Sequence, residues 1–414
     1  MIRARPKPEE VFTPRSPSVN AHMYVERPYL EEALNNALKD TRNIIIHGES
    51  GCGKSWLFKK VFAAQSVPYM TVNMANASRL GGVNQAFEDR FNKFQKEVIE
   101  GKQKSKEGQL DFVLIKGGAT ELAEIKKLSK EPFELCLEFL QRSTRAKRKY
   151  IVVENMERIL NDEKSIDDIS NLITLVDDED YAEYGVRILI VGVPHDVQKY
   201  FTLSKFGQTI ANRLVEIPEV ARLPKQAAEW VFEKGFNLLQ LKHHDRNDLK
   251  KMLWLTDFIP QHIHEFGLSV AQQVYPEKEI SNIDVERALG TWIQSSFTQM
   301  YAHVESKMNS RQTRAGRRDQ TIYSLATIDN NDFKTNDVER VIRQHFPRST
   351  DGVSLNIAQI LAELADGSQP LIRKTPKGDA YRFVNPKIKI CARAMLNKNK
   401  SERVVKKPID RTWN

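Results

Sequence analysis

Cysteine is scarce in these 414 residues: there are three, Cys52, Cys136 and Cys391. An odd, widely spaced set supplies neither a disulfide framework nor a metal-ligand cluster, and the expected compartment is a reducing cytoplasm. Long hydrophobic runs are missing too. Runs such as Ile44-Ile45-Ile46 and Ile188-Leu189-Ile190-Val191 fall far short of the ~20 residues of a membrane span. Met1 to Pro17 has no apolar stretch of the kind a secretory signal needs, so a soluble chain with no membrane partner is expected. No internal repeat or low-complexity tract is visible. Charge of one sign is in modest surplus, with 63 Lys+Arg against 54 Asp+Glu and a formal +9. An apolar fraction of 40% and a charged fraction of 28% exclude the disordered, collagenous and disulfide-scaffold classes. At ~100–200 residues per domain, the length allows two to four domains.

What is present is organised in blocks. Residues 1–40 read as a proline-rich lead-in and a helix, with Leu30, Ala33, Leu34 and Leu38 at helical spacing. Residues 41–220 alternate short apolar runs with helical patterns. The runs Arg42–His47, Tyr69–Val72, Leu110–Ile115, Tyr150–Val153 and Arg187–Val193 predict strands, and near-continuous apolar runs suit a parallel sheet buried on both faces. Residues 221–305 carry almost only helical pattern. A basic linker (306–319) leads to a small unit (320–396) with three helical stretches and two short strands about a Pro/Gly turn. Residues 397–414 read as a basic tail; from Lys387 onward there are nine Lys/Arg and two acids.

Gly48-Glu49-Ser50-Gly51-Cys52-Gly53-Lys54-Ser55 matches G-x-x-x-x-G-K-[ST] in full, after a strand and before the helix that opens at Trp56. Its glycines let the backbone wrap a polyphosphate with successive N–H groups pointing inward. The helix adds its positive N-terminal end. Lys54 would neutralise the β- and γ-phosphates and Ser55 would ligate Mg²⁺. These residues predict binding of ATP with Mg²⁺.

Such a loop needs an acid at the tip of a nearby strand, and Tyr150-Ile151-Val152-Val153-Glu154-Asn155-Met156-Glu157 supplies one. Glu154 would reach Mg²⁺ through water. Asn155 then stands where a second acid ordinarily serves as base; an amide orients water but cannot take its proton. Glu157 is either a substitute for that acid or a surface residue of the next helix. ATP binding is therefore the firmer expectation, and hydrolysis is expected to be slow or triggered by a partner.

These motifs resemble the AAA+ superfamily of ATPases, in the style of origin-recognition and transposition-regulator proteins and of related signalling (STAND-like) NTPases. Met23-Tyr24-Val25-Glu26-Arg27-Pro28-Tyr29-Leu30 resembles the lead-in that packs near adenine, which makes Arg27 a nucleotide contact. The stretch Arg187–His195 resembles the sensor-1 strand, with only His195 or Asp196 near the place of its usual polar residue. Ile210-Ala211-Asn212-Arg213-Leu214 resembles the segment carrying an arginine finger, so Arg213 would act on a neighbouring subunit's nucleotide; the alternative is a surface salt bridge. Phe258–His264 resembles the sensor-2 turn of a helical lid, with Gln261 in place of its Arg. The resemblance implies an α/β P-loop core, a helical lid over 221–305 and a C-terminal winged helix over 320–396.

In that winged helix, Val353–Ala365 would be the recognition helix, with Asn356 and Gln359 toward base edges. Arg373, Lys374, Lys377 and Arg382 on the wing, with the basic tail, would contact the DNA backbone. The implied function is an ATPase switch that forms homo-oligomers on DNA or on a partner protein. The alternatives are a signalling or defence NTPase governing a separately encoded effector, and a scaffold that binds nucleotide with little turnover.

Overall fold

Four of the predicted runs become parallel strands, β1 (Asn43–His47), β2 (Tyr69–Asn73), β3 (Lys149–Glu154) and β4 (Val186–Val193), and a fifth parallel strand, β5 (Leu214–Glu216), forms where the sequence predicted none. The computed structural model describes residues 5–99, 130–160, 162–193, 210–243, 245–309, 316–375 and 378–407. Leu110–Ile115 lies outside them. Two units are distinguished: Ser16–Ala221, and Met1–Arg15 with Arg222–Asn414. No helix of the described residues is long and apolar enough to cross a membrane.

In the Ser16–Ala221 unit the strand order is β2-β3-β4-β1-β5. The chain leaves β1, crosses to the far edge, returns as far as β4 and then passes β1 to form β5. Ligands of parallel sheets bind beyond the carboxyl ends of such strands, where the order reverses. β1 is buried along its whole length because helices cover both faces. One face holds Phe58 and Phe62 of the helix Lys54–Ala64, edge-on to Tyr69. The other buries Phe87, Phe94, Phe133 and Leu137 from the helices Val83–Ile99 and Pro132–Ser143 against Ile151, Val153 and Ile188. The first helix of this unit runs Pro28–Ala37, starting later than the helical pattern expected from Met23 to Leu38. Proline is suited to a first turn and biases the residue before it toward extended backbone.

The second unit contains the helices Lys225–Leu238, Arg246–Thr256, Pro260–Val274, Asn282–Ser296 and Thr298–Lys307. One short parallel pair, Lys242–His243 with Glu279–Ile280, interrupts them. The lead-in belongs here and is not loosely extended. Pro8–Val11 is a helical turn, and Phe12 is fully buried. Its ring lies where Cβ atoms on Gly235 and Gly267 would come within 2.3 and 2.4 Å, so two side-chain-free positions admit one phenylalanine. Arg5 adds hydrogen bonds to the carbonyls of Leu239 (2.5 Å) and Pro276 (2.6 Å).

Helices Arg317–Thr327, Thr335–His345 and Ile357–Ala365 then precede the antiparallel hairpin Ile372–Lys374/Tyr381–Phe383. This is the helix–helix–helix–wing order of a winged helix. The third helix starts at Ile357 and not Val353, because Asn356 takes a left-handed conformation (φ 50°). The tail also differs from expectation. Leu396–Lys398 and Val404–Lys406 pair as a hairpin, Lys398 donates to the His345 carbonyl (2.6 Å), and Glu402 accepts from the Arg348 and Ser349 amides (3.2 and 2.9 Å). Residues 397–407 are therefore built into the fold.

Candidate nucleotide site

The site lies in the Ser16–Ala221 unit, beyond the ends of β1, β3 and β4. Gly48, Gly51 and Gly53 all have positive φ (142°, 83° and 93°), a conformation that costs other residues about 1–2 kcal/mol. At Gly48 space is also decisive: a Cβ there would sit 2.4 Å from the Val220 carbonyl oxygen. Gly53 caps the helix Lys54–Ala64, whose first-turn amides have no intrahelical partners and favour an anion. Ser50 is exposed on the loop's crest and Cys52 is buried beneath it.

Lys54 Nζ donates to the carbonyls of Gly48 and Glu49, both at 2.8 Å. Burial pulls its ammonium below the ordinary lysine value, against the attraction of Glu157, Glu49 and Glu219. A group held partly desolvated inside an anion cradle gains by meeting a phosphate. Ser55 Oγ donates to Glu154 Oε1 at 2.7 Å. A hydroxyl that gives its proton to a carboxylate keeps its lone pairs for a cation, so the pair has the oxygen chemistry that Mg²⁺ takes. The helix's first-turn amides, Lys54 and this oxygen pair together fit a magnesium–triphosphate.

Arg27 also borders the loop. Its Nη1 donates to the Ala221 carbonyl (3.1 Å), and its Nη2 lies 3.6 Å from where a Gly53 Cβ would stand. Trp56 does not turn to the phosphates: its Nε1 donates to the Ser16 carbonyl (3.2 Å). Asn155 is drawn elsewhere too. It is left-handed (φ 60°), and its Nδ2 donates to Asn73 Oδ1 at 2.9 Å, across to the outer strand β2. The sequence reading missed Asn73; its only local sign was a polar residue closing a strand. It also missed Gly192, where a Cβ would lie 2.8 Å from Glu157 Oε2. A glycine within an apolar strand is the signal of such a close approach.

His195 and Asp196 lie outside the described residues. Arg213 is engaged within its own chain: its Nε is 3.1 Å from Asp177 Oδ2. Its carbonyl accepts from the Asn43 amide (2.9 Å), at the start of β1, whereas the phosphate loop follows that strand's end. Within one chain it is therefore at the wrong end of the sheet to meet the phosphates. In the other unit, Gln261 donates to Glu265 (2.8 Å). His262 and His264 are buried among aromatic rings, and burial pushes both imidazoles down to about 4.

The wing offers fewer cations than its sequence suggested. Arg382 is buried and paired with Asp332 (2.6 Å), which removes it from a DNA-facing set. Arg373 and Lys374 are exposed, and Lys377 lies outside the described residues. On the third helix Asn356 and Gln359 are exposed, and Gln359 donates to Glu363 (3.1 Å).

A parallel sheet of this order, with a glycine-rich loop leading from β1 into a helix and an acid at the end of β3, defines a P-loop nucleotide-binding domain. Residues 37–201 match the family described as "AAA domain", and the chain resembles AAA+ P-loop ATPases. Over 92% of its length it is similar in fold to a Walker-type ATPase of Pyrococcus abyssi, with 99% of that chain covered, a TM-score of 0.55 and 14% identity. Lower similarity extends to the ORC2 protein of Aeropyrum pernix in its ADP form (11% identity, 93% and 97% covered, TM-score 0.47). The ORC1 protein of the same organism, in complex with DNA, follows (11% identity, 93% and 96% covered, TM-score 0.43). At these identities the likeness is one of fold. No curated protein matches the sequence.

Proposed function

We propose that the chain is an AAA+-type ATPase that binds ATP with Mg²⁺ through residues 48–55, Glu154 and Arg27, and uses it as a switch for assembly with further copies of itself. The observation that carries this reading is the Ser55–Glu154 hydrogen bond beside a half-buried Lys54 that donates to the loop carbonyls, a cation site and a phosphate site side by side. When bound, the metal would neutralise phosphate charge; the chain's own part is to seat the phosphates on the loop amides and to hold Ser55 and Glu154 together. Arg213, remote from its own loop, would act on a neighbouring chain's nucleotide after leaving Asp177. DNA is the favoured assembly platform, supported by exposed Arg373 and Lys374 and the net positive charge. Slow turnover has its own support, because Asn155 is tied to Asn73 and Gln261 to Glu265.

Titration with a fluorescent ATP analogue and magnesium, followed by phosphate release with and without duplex DNA, tests this. Lys54→Ala should lose binding. Arg213→Ala should bind normally but lose DNA- or concentration-stimulated turnover. Failure of wild-type protein to bind the analogue would remove the reading, and full stimulation in Arg213→Ala would remove the trans role alone.

A further inference from the structure

We propose that Glu157 is the catalytic base that activates water in this site, in place of the residue that directly follows Glu154. The inference deepens the ATP-hydrolysing reading above and rests on it.

The argument is one of strand order. Asn155, the neighbour of Glu154, spends its carboxamide on Asn73 of β2. β2 is the edge strand, on the side of β3 away from β1. The left-handed turn at Asn155 opens a short 3₁₀ segment, Met156–Arg158, which folds back over the end of β4. There Glu157 Oε2 occupies space that a side chain on Gly192 would need, 2.8 Å from an ideal Cβ. β4 lies between β3 and β1, so the carboxylate has moved one strand toward the phosphate loop while the amide has moved one strand away. Gly192 has φ 101° and brings no side chain of its own between them.

Electrostatics agree with that placement. Glu157 interacts with both Lys54 and Glu154, the two ends of the candidate phosphate–metal site. Burial raises its carboxyl above the ordinary range and Glu154 adds to the rise, against Lys54 and Arg158. A base raised in this way holds an abstracted proton better near neutral pH. The residue remains solvent-accessible, as a group that must meet water in an open cleft has to be.

In the step, the Glu157 carboxylate takes a proton from water as the water oxygen bonds to the γ-phosphorus. The bond from that phosphorus to the bridging oxygen breaks, and its electron pair leaves with ADP. The proton then passes from Glu157 to solvent, and inorganic phosphate departs.

The test uses the full chain with magnesium and ATP, reading phosphate release and binding of a fluorescent ATP analogue. Glu157→Gln should lower kcat by about 10²-fold or more with analogue affinity within about threefold of wild type. The low-pH limb of the wild-type kcat profile should vanish in this variant. Asn155→Ala should cost less than about tenfold, since an amide turned to β2 transfers no proton. Should Glu157→Gln fail to fold, Glu157→Asp withdraws the carboxylate by one methylene and should still cut kcat by about tenfold or more at unchanged affinity. Wild-type turnover above that of Lys54→Ala, but unchanged in the Glu157 variants, would overturn the assignment and leave the ATPase reading standing. Wild-type turnover no greater than that of Lys54→Ala would overturn both.

Discussion

Asp257→Asn, set beside Lys389→Met, measures how the second unit holds its helices together. Asp257 sits at the left-handed end of the helix Arg246–Thr256, only 1% exposed. Its Oδ1 meets Arg393 Nη1 at 2.9 Å and Lys389 Nζ at 3.1 Å, and its Oδ2 pairs with Arg222. Lys389 and Arg393 belong to the helix Pro386–Met395, so one carboxylate joins two helices about 130 residues apart in sequence. Arg393 is further bound by the Ala326 carbonyl (2.6 Å) and lies over the Trp254 ring (4.7 Å).

Removing the carboxylate at the centre of this cluster leaves buried Lys389 and Arg393 and part-buried Arg222 without it, with the exposed Asp329 3.9 Å from Arg393, a change of the kind that costs about 3–5 kcal/mol. For a unit of this size that is a fall of roughly 6–20 °C in melting temperature. Lys389→Met should be far milder, within about 1 kcal/mol near neutral pH, because two guanidinium groups still hold the carboxylate. The pH dependence separates them further. Burial lowers Lys389 to about 7 despite Asp257, below the unfolded value of about 10.4. Between those values the unfolded chain binds more protons, so stability should rise with pH, by at most about 1.4 kcal/mol per unit. Lys389→Met should flatten that rise. Asp257 goes the other way: burial would raise its carboxyl, but Arg393, Lys389 and Arg222 together hold it low. Its contribution is present above the unfolded carboxyl value and is lost as pH falls through the folded one. Thermal melts over about pH 2 to 10 read both effects, the carboxylate's at the acid end and the lysine's at the alkaline end. An Asp257→Asn melt within a degree or two of wild type, or a Lys389→Met loss as large as that of Asp257→Asn, would refute the reasoning.

Two further outcomes follow from close contacts. Gly48→Ala should weaken ATP-analogue binding by about tenfold or more, because the loop must move off the Val220 carbonyl and abandon a favoured glycine conformation; calorimetry giving wild-type affinity would contradict this. Phe12→Ala should destabilise the second unit by about 3–5 kcal/mol, the usual cost of emptying a buried phenylalanine site, and denaturant unfolding measures it.

The phosphate loop could be read from sequence because its chemistry is local. Eight consecutive residues between a strand and a helix specify both the turn and its charge, and Ser55 and Glu154 meet where the motif and the strand tip predicted. Four of the five strands, β1 to β4, were legible for a related reason: a strand of a covered sheet is apolar along most of its length, and that leaves a run visible without knowledge of its neighbours; β5, three residues with only Leu214 buried, left no such run.

Other roles were decided by residues that sequence does not bring together. Asn155 could be ranked as a water-orienting amide until Asn73, 82 positions away, was seen to take its side chain. Arg382 looked available for DNA, but Asp332 lies beside it; Arg213 read as either a finger or a salt-bridge residue, and within the chain Asp177 pairs with it. The lead-in appeared free because the gaps at Gly235 and Gly267 that receive Phe12 arise only when two helices pack. A backbone motif carries its own geometry, but a side chain's partner is chosen by packing across the chain. Strand order and the left-handed turn at Asn155 together put the Glu157 carboxylate on the β4 side of β3 and the Asn155 amide on the β2 side.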